Sequence, residues 1–330
     1  MGRRSLRFRE KIFLVVILPL SFFLLLEGIL RVIWNDRREG TILKKRGNIS
    51  LEEMLAEGYD IDPDLFWKLT PRVWEVSSQG FREDKIFAVN KPKDVIRIIC
   101  MGDSVVYGCP ENVVRKNQTY PKLLEVMLNN YFKNKKIEVI NAGVPGYSSL
   151  QGLRYLKKYL LRFNPDIVTC HFGPDDAAQV RVEDKNFTFN PFIFKVKLFL
   201  GRSYIYRYLV TLSLRYRRRK EELKPRVSPQ DYKANLRKIY ELCNQRGIKV
   251  VFISPLLWID GRYSKVDNPS EYSPPEGVIT VDLYDIFSRY PDGRKFFVDN
   301  CHLTPAGHRV IAEALFSKMR AIVETLILKR

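Results

Sequence analysis

Val95-Ile96-Arg97-Ile98-Ile99-Cys100-Met101-Gly102-Asp103-Ser104 reads as an apolar strand that runs into a glycine, an aspartate and a serine. Positions 95–101 carry a single charge, Arg97, and are otherwise rich in isoleucine and valine, the pattern of a strand buried on both faces. Such a strand needs parallel neighbours and helices above and below it, and the sequence around it supplies both. Period and punctuation predict helix over 120–132, strand over 137–141, helix over 150–163, strand over 167–172, helix over 229–246 and strand over 249–254. A last strand is expected over 278–282, and Pro305 opens a terminal helix to about 328. Strands alternating with helices imply an α/β fold with a parallel sheet covered on both faces.

The quoted strand delivers Ser104 to its carboxyl end. Near the other end of the chain, Asp299-Asn300-Cys301-His302 places a carboxylate three positions before a histidine. A serine hydroxyl is inert until a base takes its proton and a third group orients that base, so these residue types are the parts for nucleophilic acyl transfer. In open parallel sheets ligands bind beyond the carboxyl ends of the strands. Ser104, the turn Asn141-Ala142-Gly143 and the loop Gly173-Pro174-Asp175-Asp176 each follow a predicted strand, so all three fall on one rim. His171, inside a strand, and His308, on the terminal helix, lack a carboxylate at comparable spacing and read as structural. Asp103 and Asp176 are expected to bond nearby backbone amides.

The chain has 330 residues and a formal charge of +19, from 56 Lys+Arg against 37 Asp+Glu, which calls for an acidic partner surface. Anionic membrane lipid fits better than nucleic acid, for which no recognisable module is present. Arg3, Arg4, Arg7, Arg9 and Lys11 precede an apolar run over 12–26, which extends to Trp34 once Glu27 and Arg31 are admitted as an i,i+4 pair. No small-x-small cleavage pattern follows, so a retained signal anchor is expected. Arg37, Arg38, Lys44, Lys45 and Arg46 beyond the run balance the basic residues before it, but long C-terminal domains translocate largely regardless of charge. The expectation is a single-pass membrane protein with its catalytic domain outside the cytoplasm. Five cysteines leave at least one free thiol, Cys100 and Cys170 read as small core residues, and no spacing suggests a metal site.

In combination, Gly102-Asp103-Ser104, Asn141-Ala142-Gly143 continuing through Val144-Pro145-Gly146-Tyr147-Ser148, Gly173-Pro174-Asp175-Asp176, and Asp299 with His302 resemble the four ordered blocks of the GDSL-type, or SGNH, hydrolases. The resemblance spans about 80–328, and Gly80-Phe81-Arg82 with the basic, apolar N-terminus is similar to membrane-anchored bacterial members. It implies a three-layer α/β/α fold with a parallel, flavodoxin-like sheet, preceded here by a transmembrane helix. It also implies a serine esterase or acyl-ester hydrolase working through an acyl-enzyme, without cofactor or metal. Ser104 would be nucleophile and, through its amide, an oxyanion donor. His302 would be base and then acid, Asp299 would orient its ring, and the Gly143 amide would be a second donor. No G-x-S-x-G is present, so the α/β-hydrolase elbow is not expected. One block departs from the pattern: the family's Gly-x-Asn-Asp has an asparagine donor where this chain has Asp175. An ionised carboxylate has no proton to give and repels a developing oxyanion.

The domain reading is therefore a basic tail over 1–11, a transmembrane signal anchor over 12–34, a tether and lead-in over 35–93, and a hydrolase domain over 94–330 with an insertion at 177–228. The insertion is rich in Phe, Tyr, Arg and Lys, including Arg215-Tyr216-Arg217-Arg218-Arg219-Lys220, and reads either as a cap or lipid-facing surface or as a plain solvated charge run. An acyl-ester substrate, O-acylated (acetylated) carbohydrate or lipid, is the expected partner. The alternatives are acyl transfer to a polysaccharide hydroxyl, a non-catalytic glycan-binding or assembly module, and a flavodoxin-like binder of a phosphorylated ligand; the last lacks a glycine-rich phosphate loop.

Overall fold

The structure, a computed structural model, describes residues 13–33, 59–71, 75–188, 190–200, 203–206, 208, 209, 212, 223–265 and 278–329. The expected basic tail, residues 35–58 and 72–74 of the tether and lead-in, and the run 215–220 lie outside the described residues. The chain divides into two compact units, Met1–Ala56 with Phe189–Glu222, and Glu57–Thr188 with Leu223–Arg330. In the first, a π-helical turn Phe13–Ile17 continues as α1, Leu18–Ile33. Val15–Val32 has mean hydropathy 2.2 and none of it is buried, so this helix is long and apolar enough to cross a membrane.

The second unit opens with a hairpin, β1 (Tyr59–Asp62) and β2 (Phe66–Leu69). After β3 (Val95–Gly102) come α2 (Ser104–Tyr107), α3 (Tyr120–Tyr131), β4 (Lys136–Gly143), α4 (Ser149–Tyr155) and β5 (Ile167–His171). Short strands β6 (Gln179–Val180) and β7 (Lys224–Pro225) pair with each other. Between them lies α5 (Pro191–Leu200), which belongs to the first unit. Then follow α6 (Pro229–Asn244), β8 (Lys249–Ile253), the β9 (Leu257–Ile259) and β10 (Arg262–Ser264) hairpin, β11 (Ile279–Val281), α7 (Leu283–Phe287) and α8 (Pro305–Leu328).

Five strands form one parallel sheet in the order β4-β3-β5-β8-β11, the doubly wound order in which the chain reverses direction between β3 and β5. Every residue of β3 is buried, as the sequence predicts. Ile96, Ile98 and Cys100 point into a cluster with Leu124 and Leu128 of α3 and Ile311, Leu315 and Met319 of α8. The alternate residues Ile99 and Met101 are equally buried on the other face, where α4 packs on β3 and against α6. Arg97, the one charge in β3, sits opposite its register partner Glu138 with bonds of 2.7 and 3.0 Å, and donates to Phe163 O at 2.6 Å. A strand buried on both faces tolerates that cation because each donor has an acceptor.

Two boundaries differ from the sequence reading. From residue 59 onward the expected tether and lead-in is part of the second unit, with Leu65, Phe66, Leu69, Phe81, Phe87 and Arg82 all buried there. Phe66 and Leu69 bound the four-residue β2, Phe66 at φ +69°, and the others lie in turns and loops, so no extended periodicity announces them. The insertion likewise shrinks to Phe189–Glu222, because β6, β7, the buried Asp184 and Arg226 are built into the second unit.

Candidate active site

Ser104 is the first residue of α2, held at both ends. Asp103 caps the helix, its Oδ1 accepting from Val105 N–H at 2.9 Å. Behind the cap, His171 Nδ1 lies 3.1 and 3.2 Å from the two Asp103 oxygens, with both side chains buried. At the far end, Arg82 donates from Nη1 to Tyr107 O at 2.9 Å and Gly108 O at 2.8 Å, and from Nη2 to Val114 O at 2.8 Å. Helix C-termini leave carbonyls without partners, and a buried guanidinium satisfies two of them here. Neither the Asp103–His171 pair nor the Arg82 clamp is legible in the sequence beyond the Gly80-Phe81-Arg82 triplet.

The registers Gly102↔Gly143 and Gly102↔His171 put the ends of β3, β4 and β5 level. A Cβ on Gly143 would stand 2.2 Å from Tyr107 N, so the glycine is demanded by the close approach of α2 to the sheet end. The Gly143 N–H donates to Asn141 Oδ1 at 3.1 Å.

His302 comes to Ser104 from the opposite end of the chain: Nε2 is 2.8 Å from Ser104 Oγ, and Nδ1 is 2.7 Å from Asp299 Oδ2. The remaining Asp299 oxygen accepts from the Cys301 and His302 amides at 2.9 and 2.8 Å, which fixes the carboxylate against its own loop. Bonds from Val298 N to His302 O (2.8 Å) and Thr304 N to Phe296 O (2.9 Å) close that loop on itself. Burial acts to lower the His302 pKa, but the bond to Asp299 outweighs it and holds the imidazole well above its usual value. Burial would likewise raise Asp299, yet the His302 ring and the two amides hold it well below the usual carboxylate range. Asp299, Cys301 and His302 are also a group of metal-type donors within 4.8 Å of one another, although Asp299 and His302 are already committed to each other. His308, by contrast, is buried, accepts from Tyr120 N–H at 3.3 Å and is pushed down to about 3 by burial, a core residue as expected.

Asp175 and Asp176 follow β5 but behave differently. Asp176 accepts from Ser149 N (2.9 and 3.1 Å) and Ser149 Oγ (2.5 Å), tying down the start of α4. Asp175 is 28 % exposed, and Arg226 Nη1 lies 4.0 Å from its Oδ1. Burial pushes Asp175 up to about 6 against the pull of Arg226. Arg226 is anchored by Asp184 at 3.0 and 2.9 Å, Gly146 O at 2.7 Å and Gln151 Oε1 at 2.6 Å, leaving Asp175 as a neighbour rather than a close partner.

The model of the GDSL-like Lipase/Acylhydrolase family matches residues 100–310. No curated protein matches the chain. Solved structures similar to it include an alpha/beta hydrolase enzyme from the metagenome of Lake Arreo, Spain, at 17% identity over 67% of this chain and 94% of that one, TM-score 0.45. A lipase/acylhydrolase from Enterococcus faecalis matches at 19% identity over 68% of this chain and 96% of that one, TM-score 0.44. A Geobacillus acetyl-xylooligosaccharide esterase variant matches at 14% identity over 67% and 93%, TM-score 0.43. With the family model spanning the strand that ends at Ser104 and the loop that carries His302, this chain belongs to the GDSL-like lipase/acylhydrolase family of ester-hydrolysing enzymes.

Proposed function

We propose that Ser104 is the nucleophile, His302 the base and then the acid, and Asp299 the group that orients the imidazole, in hydrolysis of an O-acylated carbohydrate or lipid. The observation that carries this reading is the unbroken line from Ser104 Oγ to His302 Nε2 at 2.8 Å and from His302 Nδ1 to Asp299 Oδ2 at 2.7 Å. Ser104 attacks the ester carbonyl as its proton passes to Nε2. The tetrahedral intermediate collapses when Nε2 returns that proton to the leaving alcohol, and water activated by the same nitrogen releases the acyl group. The Ser104 and Gly143 amides are the oxyanion donors, Gly143 exchanging its bond to Asn141 for the forming oxyanion. Asp175 stands at the third donor position. Protonated, it has a hydrogen to give; ionised, it opposes the charge that forms.

The apolar helix through Val15–Val32 supports a membrane-anchored enzyme, with the catalytic domain on the extracytoplasmic side. A reporter fused to the C-terminus, active only outside the cytoplasm, tests that side. For the chemistry, the full-length chain in detergent is treated with a fluorophosphonate, and the adduct should map to Ser104 and vanish in Ser104→Ala. An adduct on another residue, in a chain that hydrolyses acetyl or longer esters, sinks the assignment. Acyl-sugar product in place of free acid when an oligosaccharide acceptor is added would move the reading to O-acyl transfer.

A further inference from the structure

Helix α5 belongs to the same unit as α1 and carries an apolar face that no described residue covers. Phe192 is 75% exposed, Ile193 50%, Val196 40%, Phe199 70% and Leu200 40%. At 3.6 residues per turn these five positions fall within roughly one third of the helix circumference. They are a stripe rather than scattered side chains. Farther along the unit, Leu209 and Leu212 are exposed as well.

Three residues past the end of α5 the chain is bonded to α1. Glu27, inside the candidate span, accepts from Ser203 Oγ at 2.9 Å, from Tyr204 N at 2.8 Å and from Ile205 N at 3.1 Å. Arg31, one turn on, bonds Glu27 at 3.3 Å and lies over the Tyr204 ring at 5.3 Å. An acidic residue in an apolar span is costly unless partnered, and the insertion supplies its partners: the Glu27 side chain is only 13% exposed. Glu27 lies five residues before Val32, the end of the span, hence about 8 Å below it at 1.5 Å per residue. That depth matches the roughly 5–10 Å at which interfacial helices bury their apolar faces. The end of α5 is within about 10 Å of chain from that level.

We propose that the Phe192, Ile193, Val196, Phe199 and Leu200 face of α5 is a bilayer-contacting surface, seated among the acyl chains beside α1, so that this enzyme has a second membrane element within its hydrolase sequence. The inference rests on the reading of α1 as a membrane anchor. Lipid, rather than a second copy of the chain, is the occupant because α1 is bare too, and one medium covers both apolar helices. The sequence around the stripe is cationic, with Lys195 and Lys197 in α5 and five basic residues in 215–220, which fits anionic headgroups and opposes self-association.

The test uses the full-length chain reconstituted in vesicles of phosphatidylcholine and phosphatidylglycerol, with a benzophenone amino acid in place of Phe199, Phe192, Leu24 of the span, or Lys238, an exposed residue of α6. Irradiation should give lipid adducts at Leu24, Phe192 and Phe199 and at least tenfold fewer at Lys238. Glu27→Ala should lower the Phe199 adduct several-fold while leaving Leu24 unchanged. Lipid adducts at Leu24 with none at Phe192 or Phe199, or adducts there only to another copy of the chain, overturn the proposal and leave the anchor standing. Loss of lipid adducts at Leu24 as well overturns both.

Discussion

Asp299 and Asp175 are two carboxylates on loops at the same rim, one held far below its ordinary pKa and the other pushed up to about 6. Desolvation raises both, and more strongly Asp175, whose side chain is 28% exposed against 52% for Asp299. Asp299 offsets it with an imidazole at 2.7 Å and two amides at 2.8 and 2.9 Å, whereas Asp175 has a guanidinium at 4.0 Å that is committed to Asp184, Gly146 and Gln151. Burial and the hydrogen bonds to the charged form together decide the outcome, not the mere presence of a cation. The first loop keeps an anion against the His302 imidazole, and the second keeps a group whose charge changes near pH 6.

The most severe way to break the contrast is Asp299→Asn. The geometry is retained but the imidazole loses its anionic partner, and kcat should fall by about 10⁴-fold. A loss under tenfold would show that Asp299 orients nothing of consequence. Next comes Asp175→Asn, which restores a donor where the family has one. It should raise kcat on a model ester by on the order of 10²-fold at neutral pH, by analogy with the loss on removing one such donor. The sign with pH is fixed by the raised pKa: below about 6 Asp175 is already protonated, so the advantage of the variant should shrink as pH falls through that value. The same shift acts on stability. A carboxyl whose folded pKa is raised favours folding fully below its unfolded value and loses that contribution as pH rises through about 6. The melting-temperature advantage of Asp175→Asn should therefore grow from acidic to neutral pH, by an amount equivalent to on the order of 1–2 kcal/mol. A pH-independent ratio of rates would refute the titration of Asp175. The last variant, Arg226→Met, is read in stability rather than in rate. It leaves the buried Asp184 without its bidentate partner, destabilising the chain by about 3 kcal/mol in urea titration. It should also move the Asp175 midpoint upward, since the cation that lowers it is gone.

Much of the fold was legible because its strands are buried on both faces and so read as continuous apolar runs. The terminal helix from Pro305 to Leu328 is bounded as its proline and period predict. Ser104, Asp299 and His302 were legible as motif residues. What escaped are contacts whose partners have no common period. His171 meets Asp103 across 68 residues because β3 and β5 are sheet neighbours, although His171 has no carboxylate three residues before it as His302 does. Arg82 reads as one more charge in a polar lead-in until the end of α2 is seen to need its donors. Arg226 and Asp184 were assigned to an insertion, yet they hold together the loops around Asp175.

The sequence by itself determined the α/β class, the parallel sheet, the apolar N-terminal helix and the family, because each is written in local pattern or short motif. Only the tertiary structure decided that His302 stands 2.8 Å from Ser104 across 198 residues, that Gly143 is small for the sake of α2, and that Asp175 lies beside Arg226. Those depend on register and on which loops meet beyond the ends of the strands. The reason is physical: periodicity records which way a side chain faces, whereas the charge state of a carboxylate depends on the donors that the folded chain brings within about 3 Å of it.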